Sequence, residues 1–378
     1  MPWRESTCMS QRLEFIAAAR LREVPFSALC RQYGISRKAG YKWLRREGSE
    51  EGLADRSRRP RASPHQTSPE VEALVCELRR QEPVWGGRKI RHRLLLDGIT
   101  VLPAASTITD ILRRHGLLSP PLRLQRDLVR FEAEQPNDLW QMDFKGQFET
   151  AAGTCYPLTV LDDHSRFLLC LAACPDQTTE TVQTQLLRLF AEYGLPRRIL
   201  CDNGPPWGSD AQHRFTRLCA WLIRLGIAVS HGRPYHPQTQ GKDERFHRTL
   251  SSELLKRREA EWQDLSEVQV AFDVYRPHYN EYRPHQALGG IPPAWRYTAS
   301  RRALPDGLPE PVYEPSDLLR RVTKDRRFDF RGHAYRIGKA FVGQTIALRA
   351  NTEGGWDVYF CWQRIARLDP SSPRLLQV

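Results

Sequence analysis

From about residue 137 the chain runs LWQMDFKGQF, YPLTVLDDHSRFLLCLAA, an amphipathic stretch at 179–193, RRILCDNG, a second at 212–225, GIAVSHG, and a third helix-forming run after YHPQTQG. The short apolar runs bounded by turn residues read as strands, and the longer runs repeat their apolar residues at helical spacing. Three strands, helix, strand, helix, strand, helix is an α/β layout that begins with an antiparallel meander. The short strand at 198–201 ends directly on Asp202. The carboxyl edge of a sheet is where such folds carry their sites.

Three acids in this region raise a question of chemistry. Asp143 follows LWQM and precedes Phe144, so on a strand it alternates out of an apolar pattern. Asp202 lies in CDNGPPWGS, and Glu244 in the first turn of a helix that also carries Lys242, Arg245, His247 and Arg248. Each has a plain structural account: a satisfied edge residue, an Asx turn before Gly204, and an acid favoured at a helix start by roughly 0.3 to 1 kcal/mol. Phe246, Leu250 and Leu254 define the buried face of the last helix. At 100° per residue Glu244 falls about 120° from the middle of that face, at the margin of the core beside Arg248 and Ser251. Three carboxylates from two strands and a helix can converge on two hard cations, which prefer oxygen ligands. Two such ions roughly 4 Å apart activate an attacking water or hydroxyl and stabilise the leaving oxygen of a phosphodiester. Without metal the three acids repel one another.

The net charge of +13 is concentrated at the front, where residues 1–130 hold 25 Lys or Arg against 14 Asp or Glu. Counterion release from phosphates makes such a segment a candidate polyanion binder. Within it, PFSALCRQYGISRKAGYKWLRR reads as a helix-turn-helix: Pro25 starts a helix, Gly34 breaks it, and Ser36 caps the next. Cys30 provides a small side chain where the helices cross, and Ile35, Ala39 and Trp43 form the inner face. That leaves Arg37, Lys38, Tyr41 and Lys42 for a DNA major groove, the plain alternative being a bundle with a solvated basic face. A basic, proline-containing linker follows, then three helical stretches at 69–81, 87–96 and 105–115 that suggest a second helix-turn-helix, with Arg88 and Lys89 as further DNA contacts.

After a proline-rich helical region, residues 318–369 alternate in strand fashion with glycine turns and read as a small β-barrel. The expected organisation is therefore 1–50 helix-turn-helix, 51–68 linker, 69–120 second helix-turn-helix, 121–136 linker, 137–300 core, 301–317 linker and 318–378 β-barrel. None of the nine cysteines has zinc-finger spacing, so structural zinc is not expected, and Cys170 and Cys174 read as core residues. No run of about 18 apolar residues and no signal-like segment is present, which makes the cytoplasm the default location and a membrane no expected partner.

In this order, LWQMDF, LDDHSRF, CDNGPPW and YHPQTQGKDERFHRTL resemble the integrase-core signature of bacterial insertion-sequence transposases, which are similar to retroviral integrases and carry an acidic triad called DDE. The likeness extends over nearly the whole chain. It implies a multidomain α/β protein: a ribonuclease H-like mixed-sheet catalytic core, preceded by all-α helix-turn-helix units and followed by a small β-barrel. It implies that Asp143, Asp202 and Glu244 are the catalytic and metal-binding acids, taking two Mg2+ ions per site with Mn2+ able to substitute. Asn203 and Gly204 match the turn after the second acid. His236, Gln238, Gln240 and Gly241 match a loop that positions the DNA end, and Lys242 and Arg248 flank the third acid as phosphate contacts. Asp243 is an alternative third ligand, but the motif's spacing from Gly241 selects Glu244. Asp162 and Asp163 are expected to act structurally with Arg166.

Two departures accompany the resemblance: the 41 residues between Asp202 and Glu244 exceed the retroviral interval, and the zinc-binding His/Cys module of those integrases is absent. The implied activity is recognition of an element's terminal inverted repeats in double-stranded DNA, hydrolysis that frees a 3′-hydroxyl, and attack of that hydroxyl on target DNA. Joining two ends implies at least a dimer on DNA. A catalytically inactive, transposase-derived repressor is the alternative, while a structure-selective nuclease would have little use for two helix-turn-helix units.

Overall fold

The computed structural model describes residues 7–47, 50–55, 66–118, 132–208, 215–232, 241–257, 261–352, 354–368 and 375–377. They fall into two units, Met1–Gln66 and Thr67–Val378. No helix among the described residues is long and apolar enough to cross a membrane.

The first unit consists of α1 (Cys8–Leu21), α2 (Phe26–Gln32), α3 (Arg37–Arg45) and one helical turn, α4 (Glu50–Leu53). Thr7 and Ser10 cap α1 reciprocally, and Ser36 Oγ accepts from the Ala39 N–H at 3.2 Å to start α3. Phe15, Ile16, Leu29, Cys30, Trp43 and Leu53 form the core. Cys30 does lie at the crossing of α2 and α3, but the tighter constraint is Gly40, whose Cβ would stand 2.9 Å from Cys30 Sγ and from the Phe26 ring. Ile35 and Ala39, expected inside, are half-buried, and Ile35 packs against this core.

The second unit begins with a three-helix bundle, α5 (Pro69–Gln81), α6 (Gly87–Leu96) and α7 (Ala105–Arg114), closed around Val75, Trp85, Ile90, Ile108, Ile111 and Leu112. Its sheet comprises β1 (Trp140–Phe144), β2 (Phe148–Thr150), β3 (Gly153–Asp162), β4 (Leu168–Cys174), β5 (Arg198–Cys201) and β6 (Ala228–His231). The order is β4, β3, β1, β5, β6, with β2 pairing at the start of β3. The first three long strands are antiparallel and joined by short turns. The two parallel pairings require crossovers, supplied by α8 (Thr179–Tyr193) and α9 (Arg217–Arg224). This is the mixed sheet of a ribonuclease H-like core.

Strand alternation divides the two faces. Trp140, Met142 and Phe144 point into the layer of α8 and α9 with Val182, Leu186 and Phe190. Leu161, Leu168 and Leu171 point into the other layer, against Phe246 and Leu250 of α10 (Gly241–Glu253) and Val268 and Phe272 of α11 (Leu265–Pro277). Asp143, which alternates with Met142 and Phe144, belongs to this second face.

The helical bundle is keyed to the core by a buried ionic group. Glu253 accepts from Lys89 Nζ at 3.1 Å, from Arg283 Nε at 2.9 Å to each oxygen, and from the Tyr275 hydroxyl at 3.0 Å. Around it, Trp85 stacks on Tyr282 with ring centres 5.8 Å apart, and Arg93 donates to the Tyr282 carbonyl at 3.1 Å. Although burial works upward, Arg283 and Lys89 hold the Glu253 carboxyl below its ordinary range.

The C-terminal region, expected as a small β-barrel, is a small β domain whose described strands do not close into a barrel: β7 (Leu318–Arg321), β8 (Arg327–Phe330), β9 (His333–Arg336), β10 (Thr345–Ala350), β11 (Trp356–Phe360), β12 (Gln363–Leu368) and β13 (Leu375–Gln377). Five of them form an antiparallel sheet in the order β13, β12, β11, β10, β7, and β8 and β9 make a separate hairpin. The Gln363 amide reaches β6, where it accepts from the Val229 N–H at 3.0 Å and donates to the Val229 carbonyl at 2.9 Å.

Candidate active site

The parallel pairing of β1 and β5 places Trp140 beside Ile199 and Gln141 beside Leu200. Two residues further along the same register, Asp143 stands beside Asp202, the first residue after β5, and neighbouring strands are roughly 4.8 Å apart. Burial, then the charge of Asp202, and more weakly that of Glu244, push the Asp143 carboxyl up to about 7, against the lowering effect of the Phe144 N–H. Asp202 is exposed, and its Oδ1 accepts from the Asn203 N–H at 2.6 Å. The turn that presents it is closed by Gly208 N–H donating to the Gly204 carbonyl at 2.8 Å. Gly208 packs so closely on the Asn203 backbone that any Cβ would collide with it.

Helix α10 is rotated relative to the sequence expectation. Its buried face is Asp243, Phe246, Leu250 and Glu253, while Leu254 is only partly buried and Glu244 is exposed. The difference arises because Glu253 turns inward to meet Lys89 and Arg283, which takes the place of a purely apolar stripe. Among the described residues neither carboxylate oxygen of Asp243 has a hydrogen-bond partner. Burial first, then Asp143 and Asp163, push that carboxyl well above its ordinary range, so folding favours its protonated form.

His247 is a site residue that the sequence pattern does not single out, although its place three residues after Glu244 puts both on neighbouring positions of one helix. The Thr159 hydroxyl donates to the Asp143 carbonyl at 2.9 Å and is hydrogen-bonded to His247 Nε2, also at 2.9 Å. His247 Nδ1 lies 3.9 Å from Asp143 Oδ2. Burial, then Lys145, lower the imidazole to about 4, which keeps it neutral at physiological pH.

Asp143, Asp202 and Glu244 offer oxygen donors only, and their repulsion on Asp143 is a deficit of positive charge that hard divalent cations would cancel. Among the described residues no three His, Cys, Asp or Glu side chains already stand close enough together to hold a metal ion.

The other expected residues divide into three groups. Arg37, Lys38, Tyr41 and Lys42 are exposed on α3, and Arg88 is exposed on α6. Tyr41 also stacks on Phe26 at 4.4 Å, and Lys42 Nζ lies 4.4 Å from the centre of the Trp43 ring. Two lysines expected at DNA are instead engaged internally. Lys89 pairs with Glu253, where burial and then Arg283 lower its pKa, and Lys242 pairs with the buried Asp163. Arg248 is at the surface of α10, whereas His236, Gln238 and Gln240 lie outside the described residues. Asp162 accepts from Asn137 N–H and Ser165 N–H, both at 2.7 Å, and Asp163 accepts from Ala133 N–H at 2.7 Å. Arg166 Nη1 lies 4.0 Å from Asp163, so this acidic pair ties down the hairpin and the segment leading into β1.

Comparison with known proteins agrees with this architecture. Residues 11–61 match the helix-turn-helix domain, 39–112 the homeodomain-like domain, and 133–237 and 225–293 the integrase core domain. Residues 317–373 match the IS481 family transposase C-terminal domain. Helix-turn-helix units before an integrase core define the class as an integrase-type protein with DNA-binding domains. With its C-terminal match, the chain is similar to insertion-sequence transposases, and its core is similar to the integrase core that retroviral polyproteins share.

Over 162 residues it is 31% identical to the insertion element IS476 uncharacterized 39.2 kDa protein of Xanthomonas euvesicatoria, covering 43% of this chain and 44% of that protein. Over 127 residues it is 36% identical to the Gag-Pro-Pol polyprotein of Mason-Pfizer monkey virus, covering 34% of this chain and 7% of the polyprotein. The chain thus spans less than half the length of these curated relatives. Among solved structures, the HTLV-2 integrase catalytic core in complex with magnesium is 17% identical, covering 44% of this chain and 100% of that one, with a TM-score of 0.33. The BIV integrase catalytic core is 27% identical, covering 43% and 93%, with a TM-score of 0.31.

Proposed function

We propose that the chain is an active transposase that binds the terminal inverted repeats of its element, hydrolyses a phosphodiester to expose a 3′-hydroxyl, and directs that hydroxyl onto target DNA. The observation that carries this reading is the register of β1 and β5, which brings Asp143 beside Asp202 within reach of the charge of Glu244. These three acids would hold two Mg2+ ions, with Mn2+ able to replace them. When bound, such ions lower the pKa of the attacking water or hydroxyl and neutralise charge on the leaving oxygen. The chain's own part is to orient the acids. Thr159 and His247 brace the β1 backbone at Asp143, and the Gly204–Gly208 turn fixes the position of Asp202. Hydrolysis and strand transfer are the same displacement with different nucleophiles, so one arrangement serves both. Joining two ends calls for at least a dimer assembled on DNA.

The test is cleavage of a labelled duplex bearing the element's end. The unmutated chain with Mg2+ should cut it, and Asp202→Asn should bind it equally well without cutting. Failure of the unmutated chain to cut, with binding intact, would instead favour a DNA-binding repressor.

The first unit should provide electrostatic affinity through α3. Arg37→Ala combined with Lys38→Ala is expected to reduce the slope of log K against log salt by about 2, near 0.9 for each phosphate no longer neutralised, in a fluorescence-anisotropy titration. An unchanged slope would place the DNA on another surface.

A further inference from the structure

Asp163 is the first residue after β3, and its backbone N–H donates to the Leu139 carbonyl at 2.9 Å, just ahead of β1. Its carboxylate is wholly enclosed, and the two oxygens have different partners. Oδ2 accepts from the Ala133 N–H at 2.7 Å and lies 4.0 Å from Arg166 Nη1, within the hairpin and the segment leading into β1. Oδ1 accepts from Gln141 Nε2 at 2.5 Å and from Lys242 Nζ. Lys242 Nζ also reaches the Asp163 carbonyl at 3.4 Å. One carboxylate oxygen thus joins β1 to α10.

Both partners of that oxygen stand two residues before one of the acids. Gln141 precedes Asp143 on β1, and by strand alternation the two side chains share the face on which α10 packs. Lys242 precedes Glu244 in the first turn of α10. Among the described residues the acids do not already stand close enough to hold a metal, so the gap that metal binding must close depends on how this turn is held against β1. The turn also carries a cost of its own. Asp243, between Lys242 and Glu244 in sequence, is buried, and neither of its oxygens has a hydrogen-bond partner among the described residues. Burying a carboxyl without such a bond is unfavourable, which favours rolling the turn outward. The bond from Lys242 to Asp163 opposes that roll.

We infer that Asp163 is a positioning residue for the acids: through the Oδ1 shared by Gln141 and Lys242 it fixes the first turn of α10 on β1 and sets how closely Glu244 approaches Asp143. The inference rests on the transposase reading and extends it from the acids to what spaces them. It assigns Lys242 to the interior of the protein and not to a DNA phosphate. The far end of α10 has a separate anchor in Glu253, which meets Lys89 of the bundle, so the two ends of the helix can be disturbed independently.

Mg2+ is the probe of spacing, because it demands near-ideal octahedral geometry, whereas Ca2+ accepts a flexible one at longer distances. In calorimetric titrations of the full chain without DNA, Lys242→Met and, separately, Gln141→Met should each weaken Mg2+ by about tenfold, the low end for loss of a group that orients metal ligands. Ca2+ affinity should stay within about twofold of the parent's. Gln141→Met keeps the length of the side chain and leaves Lys242 paired with Asp163, so it tests the spacing even if Lys242→Met folds poorly. Glu253→Gln, at the far end of α10, should lower stability to urea without changing the preference for Mg2+ over Ca2+. A preference unchanged in both Lys242→Met and Gln141→Met, or Mg2+ and Ca2+ weakened equally, overturns the positioning role and leaves the transposase reading intact. Weaker binding of the element's end by Lys242→Met, with Mg2+ affinity unchanged, would return Lys242 to the DNA and overturn it as well. If the unmutated chain neither binds Mg2+ nor cuts the element's end, the transposase reading itself falls.

Discussion

Asp143→Asn is expected to lose phosphodiester cleavage by on the order of 10³-fold while binding DNA as before, because a metal-held transition state is worth several kcal/mol and each 1.36 kcal/mol is a factor of ten. The same substitution should stabilise the chain when metal is withheld. The Asp143 carboxyl is raised to about 7 in the fold, so in EDTA the folded chain keeps this proton over a range of pH in which the unfolded chain has lost it. The resulting contribution to stability is complete below about pH 4, the unfolded value, and is lost as pH rises through 7. Asparagine has no such proton to lose. At pH 8 in EDTA the variant should therefore unfold at higher urea than the parent, by up to about 4 kcal/mol, with the gap closing toward pH 4. In the parent, Mg2+ must displace that proton, so its affinity should rise about tenfold per pH unit below 7 in a calorimetric titration. A variant that cuts normally, or a parent whose Mg2+ affinity is flat between pH 5 and 7, would remove Asp143 from the site.

Glu253→Ala is expected to destabilise the second unit by about 3 to 5 kcal/mol, the range observed when one partner of a buried ion pair is removed. The carboxylate is almost wholly enclosed and is the shared acceptor of Lys89, Arg283 and Tyr275. Without it two buried cations face each other, and burial with mutual repulsion already lowers Lys89. The destabilisation should concentrate where the bundle meets the core. Hydrogen exchange in α6 should accelerate more than exchange in β3, and Glu253→Gln, which keeps the shape, should recover only part of the stability. A change below about 1 kcal/mol would mean that the aromatic stacking of Trp85 on Tyr282 carries the docking.

Local pattern makes the elements of the core legible. The helix expected at 179–193 and the strand at 198–201 are Thr179–Tyr193 and Arg198–Cys201, because each has an unbroken period and a clear stop. The helices expected at 69–81 and 87–96 are equally well placed. That Asp143 and Asp202 stand together is implied by the resemblance and not by local pattern, because β1 and β5 are far apart in sequence. What stays hidden is long-range. Nothing near Glu253 announces a partner 164 residues earlier, yet that pair turns α10 and carries Asp243 inside. Lys89 resembles a DNA contact for the same reason: a lysine on an amphipathic helix is usually solvated, and its buried acid lies on a distant segment. His247 escapes notice because its significance lies in Thr159, across the layer on β3. The 233–240 segment, with His236, Gln238 and Gln240, lies outside the described residues.

The pairing of Gln363 with Val229 has a consequence for solubility. β6 is the last strand of its sheet, and an outer strand with unsatisfied N–H and C=O groups is a template on which another chain can add. The Gln363 amide occupies one such donor and acceptor pair with a side chain that cannot propagate the ladder. The C-terminal region thereby covers the edge of β6 at Val229, and Gln363→Ala should reopen that donor and acceptor pair to another strand, seen as self-association that rises with concentration in a chain whose core stays folded.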